Sequence, residues 1–260
     1  MSGSIRPVSD NWLDSVLAVP SIGLQLRVPP SVVRRANHDF GAFLDHLHLE
    51  HDQLLVSEGA NASTPDGFSY RLALDASGYH VIVQFQHKAL EDRDPGELPG
   101  LSFQMANTST TELIDIAHKR LRKLVALTKA LDGAALKRIG LNVRVQMSLD
   151  QLPPGVVRFR NALASPWETN QGGELRKSNT NLLVRLKQHS SDERWEQCHH
   201  GLDFEVDGKI REYTCLLDYQ RVWKESTPLS EGLGSLDKFI EIALRYFQDF
   251  AFSENPWPPL

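Results

Sequence analysis

The sequence predicts an α+β fold, in which antiparallel strands are covered by long amphipathic helices. Some segments alternate apolar and polar residues, as half-buried strands do. Other segments repeat apolar residues every three or four positions, as helices with one buried face do. Turn residues separate the two kinds of segment, and Asp207-Gly208 in particular indicates a tight hairpin. We therefore expect sheets that are covered by helices.

The first half of the chain contains strand and helix patterns in a clear order. Residues 23–28 alternate as a strand, and Pro29-Pro30 ends it. The elements predicted next are a helix from Ser31 to about His48, a loop over 59–67, a hairpin of 68–74 with 79–87, a loop over 89–100, a short strand over 101–105, and a helix over 111–131 capped by Ser109 or Thr110.

The second half is predicted to follow a similar order. Its elements are a strand over 138–147, an irregular stretch over 159–178, strands over 181–188, 201–206 and 211–222, and a helix from the cap Ser235 to about Phe252. We therefore predict two similar halves, 1–133 and 134–254, followed by a Pro-rich tail over 255–260. The halves have one sheet each or share a continuous sheet, in which case they form one domain. This duplication rests on the order of the elements and not on a residue-level repeat.

Composition and charge exclude several classes of protein. A hydrophobic fraction of 41% and a charged fraction of 23% are ordinary for a globular chain. The formal net charge of −5 argues against general affinity for nucleic acids or anionic membranes. Asp10 and Asp14 interrupt the region where a signal peptide needs an apolar core, and the two cysteines provide no disulfide framework. We therefore expect a cytoplasmic protein.

A string of imidazole and carboxylate groups, His46-Leu47-His48-Leu49-Glu50-His51-Asp52, has the composition of a zinc site. It resembles the HxHxDH motif of metallo-β-lactamase-like hydrolases, with Glu50 in place of that family's aspartate. The string ends a helix pattern, however, whereas the family's motif lies in a loop after a buried strand. A metal-dependent hydrolase using His46, His48 and His51, with Glu50 or Asp52, is one alternative. The other is a polar helix end whose histidines suit the negative end of the helix dipole.

Cys198, His199 and His200 form a second polar cluster, and His189 precedes it. Neighbouring residues of a strand point to opposite faces, so these three side chains cannot all converge on one ion. A meeting of His189 with His199 or His200 across a hairpin stays open. The alternative is an ordinary polar cluster beside a buried cysteine.

The helix after Thr111 has a basic face that could lie along nucleic-acid phosphates. Its cationic residues are His118, Lys119, Arg120, Arg122 and Lys123, and Arg34, Arg35, Lys137, Arg138, Arg144, Arg158 and Arg160 could extend the patch. The alternative is a solvated helix face.

In the tail, Trp257 could anchor in a partner's pocket, or the tail could fold back on its own sheet.

The second half resembles a sporadically distributed family of uncharacterised bacterial proteins of about this length. The similar features are the helix ending at Leu131, the strand Arg138-Ile139-Gly140-Leu141-Asn142-Val143-Arg144, the paired strands through Tyr219, and the closing helix from Leu236. The resemblance covers about the last 150 residues of the 260. It implies a bacterial origin and a two-half α+β architecture, and it implies no reaction.

The common templates for catalysis and cofactor binding, among them GxGxxG, the Walker loop, GxSxG and HExxH, do not occur in a matching context. No catalytic residue, cofactor or metal ligand is therefore assigned. We expect a non-enzymatic binding or adaptor protein in a bacterial multi-protein assembly or operon-encoded system, with a protein partner that is either itself or another chain. The alternatives are the metal-dependent hydrolase and the nucleic-acid binder.

Overall fold

Nine strands form one antiparallel sheet, with five α-helices, in the part of the chain that the computed structural model describes. The described residues are 12–47, 52–56, 59–86, 108–168, 177–186, 191–207 and 210–254. The mixed α+β class is therefore as predicted. Of the two alternatives for the strands, the structure has the shared, continuous sheet.

The sheet order is β2-β3-β4-β5-β1-β6-β9-β8-β7, so β1 and β6 lie near its centre. The strands are β1 Leu17–Arg27, β2 Asp52–Val56, β3 Gly59–Ser63, β4 Phe68–Asp75, β5 Gly78–Phe85, β6 Ala135–Ser148, β7 Lys177–Leu186, β8 Arg194–Asp207 and β9 Ile210–Pro228. The helices are α1 Pro30–Leu47, α2 Thr110–Leu127, α3 Pro154–Glu168, α4 Leu229–Gly234 and α5 Leu236–Phe252. Short 3-10 turns lie at Trp12–Ser15, Lys129–Leu131 and Leu149–Gln151.

The helices cover one face of the sheet, here called the helix-covered face. Alternate strand residues are fully buried on it, and the aromatic rings of the helices pack against them; Phe43 of α1 meets Tyr70, for example, and Phe239 of α5 meets Tyr219. The intervening residues lie on the opposite side, here called the open face. Many of them are polar and partly exposed, such as Ser21 and Asn142. None of the described helices is both long and apolar enough to cross a membrane.

The local sequence predicts some helix ends and not others; the helix predicted to reach Leu131 ends at Leu127, and a 3-10 turn follows it. The predicted cap of α2 is confirmed, because the Ser109 hydroxyl accepts a bond from the Glu112 amide at 3.2 Å while the Glu112 carboxylate accepts one from the Ser109 amide at 2.9 Å. Gly133 adopts a φ of +81°, the left-handed conformation expected of a helix stop. Ser235 precedes α5 as predicted, but its hydroxyl donates to the Gly232 carbonyl instead of capping the helix.

Three predicted elements differ in the structure, and in the two that are strands, pairing across the sheet overrode local composition. The stretch 59–67 reads as a loop, yet its first part pairs with β4 as strand β3. The irregular stretch predicted from Phe159 is helix α3 as far as Glu168. Strand β8 begins at Arg194 and not at Gly201, because polar residues in its first half find buried partners. The predicted loop over 89–100, the short strand over 101–105 and the Pro-rich tail lie outside the described residues.

Gly155 is a glycine that the packing requires. A methyl group at this position would lie 1.9 Å from the Phe250 carbonyl oxygen. We expect Gly155→Ala to lower the free energy of unfolding by about 1–3 kcal/mol, because backbone would have to move. Urea unfolding measures this. Gly41→Ala is the control: its methyl would meet no atom of the described residues within 4 Å, so it should stabilise α1 by about 0.5–1 kcal/mol. A Gly155→Ala protein as stable as the wild type would contradict the expectation.

Candidate functional site

Two glycines face each other near the centre of the sheet. Gly23 on β1 and Gly140 on β6 are direct partners in the antiparallel register. Because neither has a side chain, the open face has a groove of about 200 Å³ above them. The groove is lined by Ser21, Gly23, Leu24, Gln25, His80, Ile82, Arg138, Gly140, Asn142, Asp218 and Gln220. We call it the glycine groove.

Among the described residues, no contact requires glycine at position 140. A methyl group there would lie 3.6 Å from Asp218 Oδ1 and 3.9 Å from Gln220 Cγ, which are ordinary contact distances. A methyl at Gly23 would be tighter, 3.2 Å from Ile82 Cγ1 and 3.4 Å from the Val81 carbonyl oxygen. Glycine inside a strand costs stability and often marks a place where a ligand or another backbone approaches closely.

A chain of hydrogen bonds leads along the open face to Asp218. Trp195 Nε1 donates to Gln197 Oε1 at 2.9 Å, and Gln197 Nε2 donates to Gln220 Oε1 at 2.9 Å. Gln220 Nε2 in turn donates to Asp218 Oδ2 at 2.5 Å. Arg138 Nη1 also donates to Gln220 Oε1, at 3.2 Å. The Gln220 amide is therefore held between a guanidinium and a carboxylate, and this wall of the groove is ordered.

Asp218 offers the groove an acceptor oxygen. Its Oδ2 is bonded to Gln220, whereas no donor to its Oδ1 occurs among the described residues. Oδ1 is also the atom nearest to the missing side chain of Gly140. Burial raises the pKa of this carboxyl above its ordinary value, and the Gln220 bond, His199 and Arg138 oppose the rise. The carboxylate is thus partly desolvated without full compensation.

A second polar cluster lies on the helix-covered face, beneath α5. Arg221 Nε and Nη2 donate to Glu196 Oε1 at 2.8 and 2.6 Å, and the Tyr219 hydroxyl donates to Glu196 Oε2. Arg221 Nη1 reaches the Ser235 hydroxyl at 3.2 Å. The side chains of Arg221 and Glu196 are only 4% and 1% exposed, so a ligand in solvent cannot reach them. Burial, followed by the Glu196 contacts, raises the pKa of Tyr219.

Cys198, His199 and His200 do not share one face, as alternation predicts. Cys198 and His200 are buried on the helix-covered face, whereas His199 is partly exposed on the open face, opposite Asp218. His200 Nε2 bonds the Tyr246 hydroxyl at 2.8 Å, and burial lowers the His200 pKa to about 3. Burial also raises the pKa of the Cys198 thiol. His189 lies outside the described residues, so its predicted meeting with this cluster stays a prediction.

The candidate metal string is described only in part. His46 is exposed on the last turn of α1, and β2 begins at Asp52. His48, Glu50 and His51 lie outside the described residues. Among the residues that are described, no group of three or more histidine, cysteine or acidic side chains is placed to hold a metal ion. The hydrolase alternative therefore stays a prediction.

Two cations of the basic face of α2 form ion pairs within the protein. Lys119 pairs with Asp115 at 2.5 Å, and Arg122 pairs with Asp237 at 2.8 Å. Arg138, which was predicted to extend this patch, lies on the open face, beyond the sheet from α2. The predicted patch is thus divided between two sides of the protein.

The glycine groove was not predicted from the sequence. The alternation of β1 and β6 places Gly23 and Gly140 on the polar side, but pattern alone gives no register between the two strands. A usable signal was present in the shared string Ile-Gly-Leu, at 22–24 and 139–141. Only the pairing of the strands shows that these two glycines meet.

No protein-family model and no curated protein matches this sequence. Among solved structures, DynU16 from the dynemicin biosynthetic locus aligns at 10% identity over 91% of this chain and 97% of that chain, with a TM-score of 0.21. The di-domain ARO/CYC protein StfQ from the steffimycin biosynthetic pathway aligns at 9% identity over 90% and 97%, with a TM-score of 0.16. At these TM-scores the likeness says nothing about the fold or function of this chain.

Proposed function

We propose that this chain is a non-enzymatic binding protein that recognises another protein through the open face of its sheet, within a bacterial multi-protein assembly in the cytoplasm. The observation that carries the proposal is the pair Gly23 and Gly140. Glycine weakens a central strand, and position 140 has room for a side chain. A partner that approaches the backbone closely gives a reason for glycine there.

The size of the groove favours a protein partner over a small molecule. Small-molecule sites enclose roughly 300–1,000 Å³ and bury most of the ligand. The glycine groove measures about 200 Å³ and opens onto the sheet surface. It is therefore suited to one inserted side chain of a larger partner, with the surrounding polar residues forming hydrogen bonds at the rim.

The proposal includes two related halves. The string IGLQLRV at 22–28 matches IGLNVRV at 139–145, differing only at Gln25/Asn142 and Leu26/Val143. PPSVV at 29–33 likewise matches PPGVV at 153–157, and LIDIA at 113–117 resembles FIEIA at 239–243. These strings support a residue-level duplication, which the order of the elements alone did not reveal.

The duplication strengthens the case for the groove. Gly23 and Gly140 are equivalent positions in the two strings, and they pair with each other in the sheet. An approximate twofold axis of the two halves would therefore pass through the groove. Glycine occupies this position in both copies, although the strings differ at Gln25/Asn142 and Leu26/Val143, and this supports a role for the groove that both halves share.

Substitution of Gly140 tests this function. We expect Gly140→Ala to keep or raise the free energy of unfolding, by about 0.5–1 kcal/mol, and to weaken partner binding. Gly140→Val should abolish partner binding, because the valine side chain fills the groove. Proteins captured by the wild-type chain from lysate of its source organism would be identified by mass spectrometry. Each would then be purified and titrated calorimetrically against both variants.

Ala73→Val is the matched control, because it adds a similar volume to the open face one strand beyond the groove wall, opposite His80. A purified partner that binds this control and the wild type equally, but not Gly140→Val, supports the proposal. A partner that binds Gly140→Val as tightly as the wild type would overturn it, as would light scattering that shows self-association as the only interaction.

A further inference from the structure

We infer that the glycine groove receives a lysine or arginine side chain of the partner, whose cationic head pairs with Asp218 above Gly140. This inference rests on the proposed function and names the group that the site recognises. Its basis is an acceptor oxygen, a floor without side chains and a wall of ordered donors and acceptors around one small volume.

Asp218 provides the hydrogen-bond acceptor for the bound group. Asp218 Oδ2 is taken by Gln220, while Oδ1 lies next to the space left by Gly140, at 3.6 Å from where a methyl group would be. A carboxylate oxygen accepts and cannot donate, so a complementary ligand group must be a donor. A charged donor makes the stronger hydrogen bond, by roughly a factor of two.

The charge of this chain favours a cationic group in the groove. The chain carries a formal net charge of −5, so its long-range field favours a cationic partner. The nearby guanidinium of Arg138 opposes a cation in the groove, but it is directed to Gln220 Oε1 at 3.2 Å and not to Asp218. Burial also leaves the ionised form of Asp218 under-stabilised, and a bound cation would supply the missing interaction.

The shape of the groove fits a long, unbranched side chain. Lysine and arginine have long unbranched stems that pack along apolar surface while the head makes polar contacts. The two glycines form a flat floor, and the Ile82 side chain borders Gly23. On the side of Gln25 the wall is fixed, because its Nε2 donates to the Ser77 carbonyl at 2.5 Å. A narrow stem is therefore accommodated where a branched side chain is not.

Nuclear magnetic resonance titration of the full chain with side-chain analogues tests the inference directly. The probes are n-butylammonium, n-propylguanidinium, propionamide and propionate. We expect either cation to shift the amide signals of Gly23, Gly140 and Asp218, and we expect propionamide and propionate to bind at least roughly tenfold more weakly. Propionamide that binds as tightly as the cations, or cations that leave these signals unmoved, would overturn the inference.

Substitutions test whether the Asp218 carboxylate binds the cation. Asp218→Asn keeps the size of the side chain and should weaken cation binding at least roughly tenfold. Asp203→Asn removes a carboxylate from another part of the open face and should leave cation binding unchanged. Equal binding by Asp218→Asn and wild type would refute the role of Asp218. If Gly140→Val still loses the protein partner in that case, only the cation inference fails and the proposed function stands.

Discussion

Glu196→Gln should lower the free energy of unfolding by about 3–5 kcal/mol. The substitution leaves the Arg221 guanidinium charged inside the protein, where its side chain is only 4% exposed. The guanidinium also contacts the Ser235 hydroxyl and the Phe239 ring, whose centroid is 5.3 Å away, and neither carries a compensating charge. Urea unfolding followed by circular dichroism measures the change.

The double variant Glu196→Gln with Arg221→Met distinguishes the cost of the unpaired buried charge from the cost of altered side-chain packing. It removes both ions and keeps an amide oxygen near the Tyr219 hydroxyl, so it should recover most of the lost stability. The exposed pair Lys238 and Glu241 is the control, and Lys238→Met should cost no more than about 1 kcal/mol. A double variant no more stable than Glu196→Gln alone would show that the uncompensated charge of Arg221 is not the cause of the loss.

His200 should make stability depend on pH. Its pKa falls from an ordinary 6.5 to about 3 on folding, because burial disfavours the imidazolium. Between these values the unfolded chain binds a proton that the folded chain does not. The stabilising contribution is therefore complete above about pH 6.5 and is lost as the pH falls toward about 3, reaching a loss of about 2–3 kcal/mol near pH 4.5.

Comparison with His200→Gln isolates this contribution, because glutamine does not titrate and can still bond the Tyr246 hydroxyl. Tyr246, the Phe250 ring at 4.6 Å and His199 are the groups that surround the imidazole. Urea unfolding at pH 7, 5.5 and 4.5 should show a steeper loss of stability for the wild type than for the variant. His199→Gln, on the open face, should retain the steep dependence. Identical slopes for wild type and His200→Gln would contradict the assignment.

Elements with a regular period were predictable from the sequence. The hairpin of β4 and β5, with Asp75 paired to Gly78, follows from period-two alternation around a glycine turn. Helices α1 and α5 follow from apolar residues at helical spacing, and the cap of α2 follows from Ser109 and Glu112. In each case the decisive interactions lie within a few residues of one another, so local pattern contains them.

The sites depended on strand register, which local pattern does not fix. Glu196 reads as an exposed residue until Arg221, across β8 and β9, supplies its buried partner. Gly140 reads as a weak point in a strand until Gly23 is found opposite it. Composition and periodicity by themselves determined the α+β class, the order of most elements and the cap of α2. Only the tertiary structure decided which distant polar groups meet, because their free energies depend on neighbours brought together by pairing across the sheet.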